Sequence, residues 1–404
     1  MEQNIKENLW IATELFYPEE TSTSFILTKV ANRLTDKYSV SVVCGEPVYD
    51  THERSEAFTL HPSVFVHKIK SLGKNKNNLI SRSLRFFLLS FSIFWYLFKR
   101  VKKGEKVFIV TNPAPLILLI SILKIVKKIK LIILVHDVFP ENTIPAGIIK
   151  SEKTFAYKIL KNLFDKAYSK ANKLIVLGRD MQKVIEGKVK KYQSNPAIEI
   201  IENWGDTENI YPLAKQNVFE EGSPLTQKII FQYAGNIGRV QGLLELLEVI
   251  KNVKNDRLVF YFVGEGAVKQ KMIDYVSLNQ MNNVYFDGAY SREEQLLVLN
   301  KTDVAFVSLA KGMFGLGVPS KTYNILAAGK PILFIGEKDS EIDLLLKEKN
   351  IGYSFQQHQE LIDFFNSFNE KSIAELEIKK ENARKVAEQE FSENIILNKF
   401  YHTV

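Results

Sequence analysis

Short apolar runs, each followed by a longer stretch with helical spacing, recur along the chain, which is the pattern of βα units building parallel sheets. The spacing predicts strands at residues 9–13, 39–43, 64–69, 106–110, 130–135, 173–177 and 198–202. Helices are expected over 25–34, entered through Thr21-Ser22-Thr23-Ser24, over 84–98, up to 126 after Thr111-Asn112-Pro113-Ala114-Pro115, and over 155–171. Asn203-Trp204-Gly205-Asp206 breaks the alternation, and a polar stretch, 215–227, follows with Gly222 and Pro224 in it. This is a linker signal. The alternation restarts at 228–233 and continues through strands 258–263, 284–286 and 304–308, with a helix over 243–253 and long helical periodicity over 375–400. At 404 residues the chain exceeds one typical core. Two α/β domains are therefore expected, at 1–205 and 206–384, with a C-terminal helix, 385–404, packing back on the first.

In parallel sheets ligands gather at the carboxyl ends of strands, and here those ends carry the chain's polar and glycine-rich sequences. In the first half they hold Tyr17-Pro18-Glu19-Glu20 and His136-Asp137-Val138-Phe139-Pro140-Glu141. The titratable groups at this edge can floor an active site or serve as turn and cap residues. In the second half they hold Ala234-Gly235-Asn236-Ile237-Gly238-Arg239-Val240-Gln241-Gly242, then Gly264-Glu265-Gly266, then Asp287-Gly288-Ala289-Tyr290. Glycines let a backbone approach phosphate oxygens, and Arg239 can clamp them bidentately. The spacing is not that of a dinucleotide fingerprint. The stretch Gly317-Val318-Pro319-Ser320-Lys321, ending in Ala327-Ala328-Gly329-Lys330-Pro331, predicts a short helix with Ser320 as N-cap and Gly329 just past its end. Lys321 in the first turn is unfavourable for the helix, so an anion is expected there, unless the lysine is simply solvated.

Composition narrows the class. Hydrophobic content of 46% and charged content of 25% belong to a folded domain protein. The one cysteine, Cys44, excludes an internal disulfide framework and favours a reducing, cytoplasmic setting. The polar start, 1–8, carries no signal-peptide pattern, and no apolar run is long enough to span a bilayer. The formal charge of +8 is concentrated: between residues 61 and 130 a single acid, Glu105, stands against a long series of lysines and arginines. Such a region seeks a polyanion or an anionic membrane. Within it, 84–98 is strongly apolar and aromatic with basic flanks, the make-up of a helix lying in a headgroup layer or of one buried against the sheet.

Taken in order, these motifs resemble those of the retaining GT-B glycosyltransferases of family 4, of the bacterial type that builds capsule, O-antigen and colanic acid. The closest pattern is that of the N-acetyl-fucosamine transferases. The resemblance rests on Tyr17-Pro18-Glu19, His136-Asp137-Val138-Phe139-Pro140-Glu141, Tyr233-Ala234-Gly235-Asn236-Ile237-Gly238, Val263-Gly264-Glu265-Gly266, Val318-Pro319-Ser320-Lys321 and Ala327-Ala328-Gly329-Lys330-Pro331. It implies two facing Rossmann-like domains with an interdomain cleft, the first binding the acceptor and the second a nucleotide sugar, UDP-linked. It further implies a hexosyl transfer without a metal, consistent with the lack of an Asp-x-Asp triplet. The acceptor it implies is a polyprenyl-diphosphate-linked saccharide, met by an enzyme held peripherally on the inner face of the cell membrane.

The resemblance assigns Asp137, His136 and Glu141 to orienting acceptor or sugar, and Arg239 and Lys321 to the departing diphosphate. Donor contacts are expected from Gly235, Asn236 and Ile237, with free backbone N–H groups at the last two, and from Gly264, Glu265, Tyr290, Pro319, Ser320, Asn324 and Glu341; acceptor contacts from Glu19 and Thr21. Two departures stand out. The family's two glutamates eight positions apart are replaced by Leu316 and Asn324, and its Arg/Lys pair after the glycine turn by Arg239 and Gln241. Ribose recognition by a carboxylate is thus in doubt at Asn324, with Glu341 a substitute. A nucleotide-sugar epimerase of the same fold is the alternative, and a polyanion-binding scaffold would leave the glycine turns without purpose.

Overall fold

The computed structural model describes residues 6–19, 21–46, 59–70 and 79–404, with side chains from 84 onward in the last segment. Glu20, Lys74 and Lys76 therefore lie outside the described residues, as does the Arg82 side chain. The chain divides into two compact units: 1–202 with Gly315–Gly317 and Leu397–Val404, and Asn203–Phe314 with Val318–Ile396.

The first unit holds strands β1 (Glu7–Ala12), β2 (Tyr38–Gly45), β3 (Phe65–Ile69), β4 (Lys106–Val110), β5 (Lys130–Val135), β6 (Lys173–Val176) and β7 (Ala197–Ile200). Its helices are α1 (Ser22–Leu34), α2 (Leu79–Arg100), α3 (Pro115–Lys127), α4 (Phe155–Tyr168) and α5 (Arg179–Lys190). All strands run parallel in the order β3-β2-β1-β4-β5-β6-β7, so the direction of winding reverses between β1 and β4. Right-handed crossovers then put α2, α3, α4 and α5 on one face of the sheet and α1 on the other. The strands lose alternation because both faces are covered: Val107, Phe108, Ile109 and Val110 are all fully buried.

In the second unit β8 (Ile229–Ala234), β9 (Leu258–Val263), β10 (Val284–Asp287), β11 (Val304–Ser308), β12 (Ile332–Ile335) and β13 (Gly352–Phe355) form a second parallel sheet, ordered β10-β9-β8-β11-β12-β13. Helices α6 (Leu243–Ile250), α7 (Lys269–Leu278), α8 (Gln295–Asn300), α9 (Lys321–Ala327), α10 (Glu341–Lys349), α11 (His358–Ser367) and α12 (Glu370–Glu390) accompany it. One core is aromatic: the buried Phe365 ring stands edge-on to Phe231 and Phe260, with centroids 5.0 and 5.1 Å away. The two sheets share one winding, the doubly wound order, so each unit has its own carboxyl-edge crevice.

Several boundaries differ from the sequence expectation. The 84–98 helix runs from Leu79 to Arg100, and α4 stops at Tyr168 because Ser169 and Lys170 turn back onto Asp165 and Ala167. The helical periodicity over 375–400 is two helices, α12 and α13 (Glu393–Thr403), broken where Phe391 and Ser392 pair with Gly205. Helix α5, which the pattern of polar residues did not announce, supplies Asp180 and Lys188 to the first unit's interior. The end of α13 lies on the first unit, where Lys173 and Lys106 donate to the Thr403 and Val404 carbonyls at 2.6 and 2.7 Å. Lys399 pairs with Glu202 at 2.6 Å.

Candidate active site

In the second unit, the turns after β8 and β9 lie backbone against backbone. A Cβ on Gly264 would sit 2.0 Å from the Gly235 carbonyl oxygen, and one on Gly266 2.2 Å from that of Ile237. Gly235 and Gly264 also adopt φ of +129° and +140°, open only to glycine. The Ile237 N–H donates to the Glu265 carbonyl at 2.8 Å, so it is engaged within the paired turns and is not the free phosphate donor expected of it. Glu265 contributes through that carbonyl, while its exposed carboxylate pairs with Lys269 at 2.6 Å. Asn236 is exposed at the tip, and its carbonyl accepts from the Tyr233 hydroxyl at 2.7 Å.

Lys321 reaches into this turn. Its Nζ lies 3.6 Å from the Tyr233 ring centroid and would be 2.9 Å from a Cβ on Gly235, so the glycine makes room for it. The amine is enclosed and has no hydrogen-bond partner, and burial lowers its pKa to about 7. The ring face stabilises the charged form without replacing water's hydrogen bonds. The Gln241 Oε1 is likewise buried and unpartnered close by, where a Cβ on Gly238 would meet it at 2.7 Å. Arg239 is exposed on the same loop. Burial raises the Tyr290 hydroxyl's pKa while a hydrogen bond with Gln295 opposes the shift; its charge also influences Tyr233.

Helix α9 carries Lys321 at its start and ends as expected. Lys330 and Gly329 N–H groups bond back to Ile325 and Leu326, and Gly329 is left-handed at φ +64°. Its start differs: Ser320 is already helical and makes no side-chain cap, and Pro319 accepts from the Thr322 N–H at 3.2 Å. Asn324 is occupied at both ends of its amide, accepting from Asp206 N–H at 2.9 Å and donating to Gln295 at 3.3 Å. This ties α9 to the chain after Trp204 and leaves the amide as a strut. Glu341 is buried in the first turn of α10, on the far side of β12 in sequence from the turn that holds Lys321.

In the first unit, Thr111 at the end of β4 accepts from the His136 and Asp137 N–H groups, both at 3.1 Å. Those bonds fix the chain beyond β5, and Thr111 is a positioning residue the sequence reading passed over; a buried polar residue ending an apolar strand was its signal. His136 Nε2 is buried without a partner, and burial holds the ring near pKa 4, hence neutral. Burial pushes the Asp137 carboxyl upward, opposed by a hydrogen bond from Asn142. Gly315–Gly317 complete this edge: Leu316 accepts from Val138 N–H at 3.1 Å, Gly315 donates to Asp180 at 3.2 Å, and a Cβ on Gly317 would stand 3.7 Å from the Asp137 carboxylate. Glu19 is buried, its N–H on the Phe16 carbonyl, and Thr21 is the N-cap of α1, accepting from Ser24 at 3.3 Å. The Thr21 oxygen is thus committed to the helix.

Glu141 does not join His136 and Asp137. Its oxygens lie 2.6 Å from Lys188 and Lys161, and Lys188 also meets Asp165, which accepts Lys191 at 2.8 Å. Lys188 and Asp165 are 3% and 1% exposed, so this is a buried cluster that joins α4 and α5 to the turn after β5. Burial alone would raise the Asp165 carboxyl, yet hydrogen bonds from Lys188 and Lys191 hold it below its ordinary value. Burial wins at Lys188, whose pKa is lowered. The assignment of Glu141 to the acceptor is corrected accordingly: it neutralises a buried lysine.

The two doubly wound α/β units, one with a glycine turn around a buried amine and one with a neutral histidine beside a carboxyl, have the GT-B fold. The sequence profile of the family "Glycosyl transferases group 1" matches residues 214–386. The Pseudomonas aeruginosa protein named "Probable glycosyltransferase WbjE" is 32% identical over 400 residues, 97% of this chain and 96% of its own. The chain belongs to the group 1 glycosyltransferases. Over 122 residues, 30% of each chain, it is 30% identical to Escherichia coli K12 WcaI, whose name assigns it to colanic acid biosynthesis. The Anabaena protein HepE, solved with UDP, shares the fold at TM-score 0.69 over 98% of this chain and 99% of its own, at 12% identity.

The ion cluster yields a stability prediction. Lys188→Met leaves Asp165 and Glu141 short of their central cation and is expected to destabilise the first unit by about 3 kcal/mol or more. Lys161→Met, at a half-exposed position, is expected to cost under about 1 kcal/mol. Urea denaturation followed by hydrogen exchange of α4 and α5 measures both, and equal costs would contradict the assignment.

Proposed function

We propose that this protein is a retaining glycosyltransferase that moves a sugar from a UDP-linked donor to a lipid-linked saccharide in surface polysaccharide synthesis. The observation that carries the reading is Lys321, a buried amine with no hydrogen-bond partner, held against Tyr233 in a turn from which side chains are excluded. An enclosed cation without an anion is costly, and a diphosphate would supply both the charge and the missing acceptors. A role in polysaccharide synthesis is supported by the name of WcaI, which assigns that protein to colanic acid, and UDP by the ligand solved in HepE; O-antigen or capsule as the product is taken from the sequence resemblance. The relatives are named as transferases, which disfavours an epimerase.

In this reading breakage of the sugar–phosphate bond runs ahead of bond formation. Negative charge grows on the leaving diphosphate, where Lys321 and Arg239 stabilise it more than they stabilise bound donor. The Asn236 amide at the open tip of the turn adds a donor; the glycines Gly235 and Gly264 let phosphate oxygens approach. On the first unit, neutral His136 offers an acceptor lone pair to the incoming hydroxyl, and Asp137 orients the sugar. Tyr290 and Glu341 remain candidates for donor contacts, Glu19 for the acceptor. Retention of configuration is read from the anomeric coupling of the product by NMR. The donor panel begins with UDP-N-acetyl-fucosamine, for the resemblance noted above, and extends to other UDP- and GDP-sugars. A polyprenyl-diphosphate saccharide serves as acceptor, presented at the cytoplasmic surface of the membrane.

Three predictions follow from this chemistry. Lys321→Ala and Arg239→Ala are each expected to lower turnover about 100-fold, and unchanged turnover in both would remove the phosphate assignment. Transfer is expected to proceed in EDTA, because in this reading Lys321 and Arg239 carry the phosphate charge that a metal would otherwise balance; loss that Mg²⁺ restores would refute metal independence. The third concerns pH. Burial lowers Lys321 to about 7, and an anion selects its protonated form, so binding above that pH takes up a proton. Above pH 7, where UDP's terminal phosphate is already ionised, UDP affinity is therefore expected to fall by up to about tenfold per unit. Titration calorimetry in two buffers measures the proton uptake, and Lys321→Met should abolish it.

A further inference from the structure

Three neighbouring helices of the first unit turn an apolar face away from the sheet. On α2, Leu89, Ile93 and Leu97 are buried, and the opposite side of the helix carries Leu84, Phe87, Phe91 and Trp95, the last 47% exposed. On α3, Leu116, Ile120 and Leu123 are buried, while Ile122, Ile125 and Val126 face out. On α4, Tyr157, Phe164 and Tyr168 are buried, while Phe155, Ile159 and Leu163 face out, Phe155 at 79% exposure. Because α2 packs beside α3 and α3 beside α4 on the same side of the sheet, the three stripes form one surface. Scattered exposed apolar residues are ordinary; a run of them across three adjacent helices is not.

Charge identifies what covers this surface. The three helices contain a single acid, Asp165, and it is buried in the ion cluster; their exposed charges are cations, including Lys99, Arg100, Lys158 and Lys166. The Lys99 amine lies 5.1 Å above the Trp95 ring and that of Lys127 5.0 Å from the Phe98 ring, so each long stem follows an aromatic that faces out or stands half-buried. A symmetric pairing of two copies would set these cations against themselves. An anionic lipid surface takes both the apolar stripes and the cations.

We propose that the outer face of the α2–α3–α4 layer is the membrane-docking surface, with the first sheet lying roughly parallel to an anionic bilayer. This goes beyond a single interfacial helix, and it does not depend on the chemistry of transfer. It has a consequence for the acceptor that does rest on the transferase reading. The sheet's carboxyl edge, with His136 and Asp137, then stands about one helix diameter, roughly 10–12 Å, above the headgroups. A lipid diphosphate that already carries sugar reaches that height, and a bare lipid phosphate does not.

The test uses the full chain and vesicles of phosphatidylcholine with and without phosphatidylglycerol, with no sugar substrate present. Binding to the anionic vesicles alone is expected, weakened by high salt. The pairs Phe91→Ser/Trp95→Ser, Ile125→Ser/Val126→Ser and Phe155→Ser/Ile159→Ser are each expected to weaken it about tenfold or more at unchanged melting temperature. Should a serine pair disturb folding, Lys158→Glu/Lys166→Glu probes α4 by charge alone. An effect confined to the α2 pair would overturn the three-helix surface in favour of one helix. Vesicle binding absent at low salt, or a dimer in light scattering that the serine pairs dissolve, would overturn the membrane assignment. Transfer to a soluble acceptor analogue by the same variants is read separately, so failure of the docking face and failure of the transferase reading remain distinguishable.

Discussion

The backbone-to-backbone approach of the turns after β8 and β9 is the constraint on which the candidate donor site depends. No side chain fits between the Gly264 α-carbon and the Gly235 carbonyl, and the Gly266 position is closed by Ile237 in the same way. Because the turns are locked together, Gly235 keeps a conformation that leaves room for the Lys321 amine, and Tyr233 closes the other side. The niche is set by covalent geometry and ladder hydrogen bonds, not by a mobile side chain. A cation placed there is preorganised, so no reorganisation is needed as charge develops on a leaving group.

The same residue types do opposite work a short distance apart. Asp137 and Glu141 stand in one six-residue motif, yet Asp137 borders a neutral histidine with little to balance its charge, and Glu141 sits between two lysines. Their partners make the difference: burial raises the Asp137 carboxyl, whereas Lys161 and Lys188 bind Glu141 at 2.6 Å. The partition fixes the start of the turn after β5, His136 and Asp137, on Thr111 and anchors its end, Glu141, to α4 and α5.

How much of this was legible in the sequence follows from the range of the interactions. Most strands and their parallel pairing were, because the sheets are largely covered on both faces and the apolar runs stand out against helical spacing; β13, short and half-buried, has no such run and was not. So was the end of α9, since the Gly329 turn is formed within six residues. The partners of Glu141 were not: Lys161 and Lys188 lie 20 and 47 positions on, on separate helices, and nothing in the motif announces them. Asn324 is similar, its amide oxygen taken by the Asp206 N–H 118 positions earlier. Ile237 looked available as a donor only because the carbonyl that occupies it belongs to the next strand's turn.

Helix α2 shows a different kind of limit. Its sequence is apolar all round, so periodicity cannot say which side is core, and both an interfacial and a buried reading fit the residues. Packing resolves it by using one side: Leu89, Ile93 and Leu97 are buried, Phe94 and Phe98 end half-buried, and Phe87, Phe91 and Trp95 face out. Stability alone would favour polar residues on that outer side, as α5 has on its exposed positions. On α2, α3 and α4 the outer side instead sets Phe91, Trp95, Ile125, Phe155 and Ile159 among cations, the departure on which the docking proposal rests. Where three helices in one layer depart from the soluble pattern in the same direction, the requirement belongs to the layer as a whole.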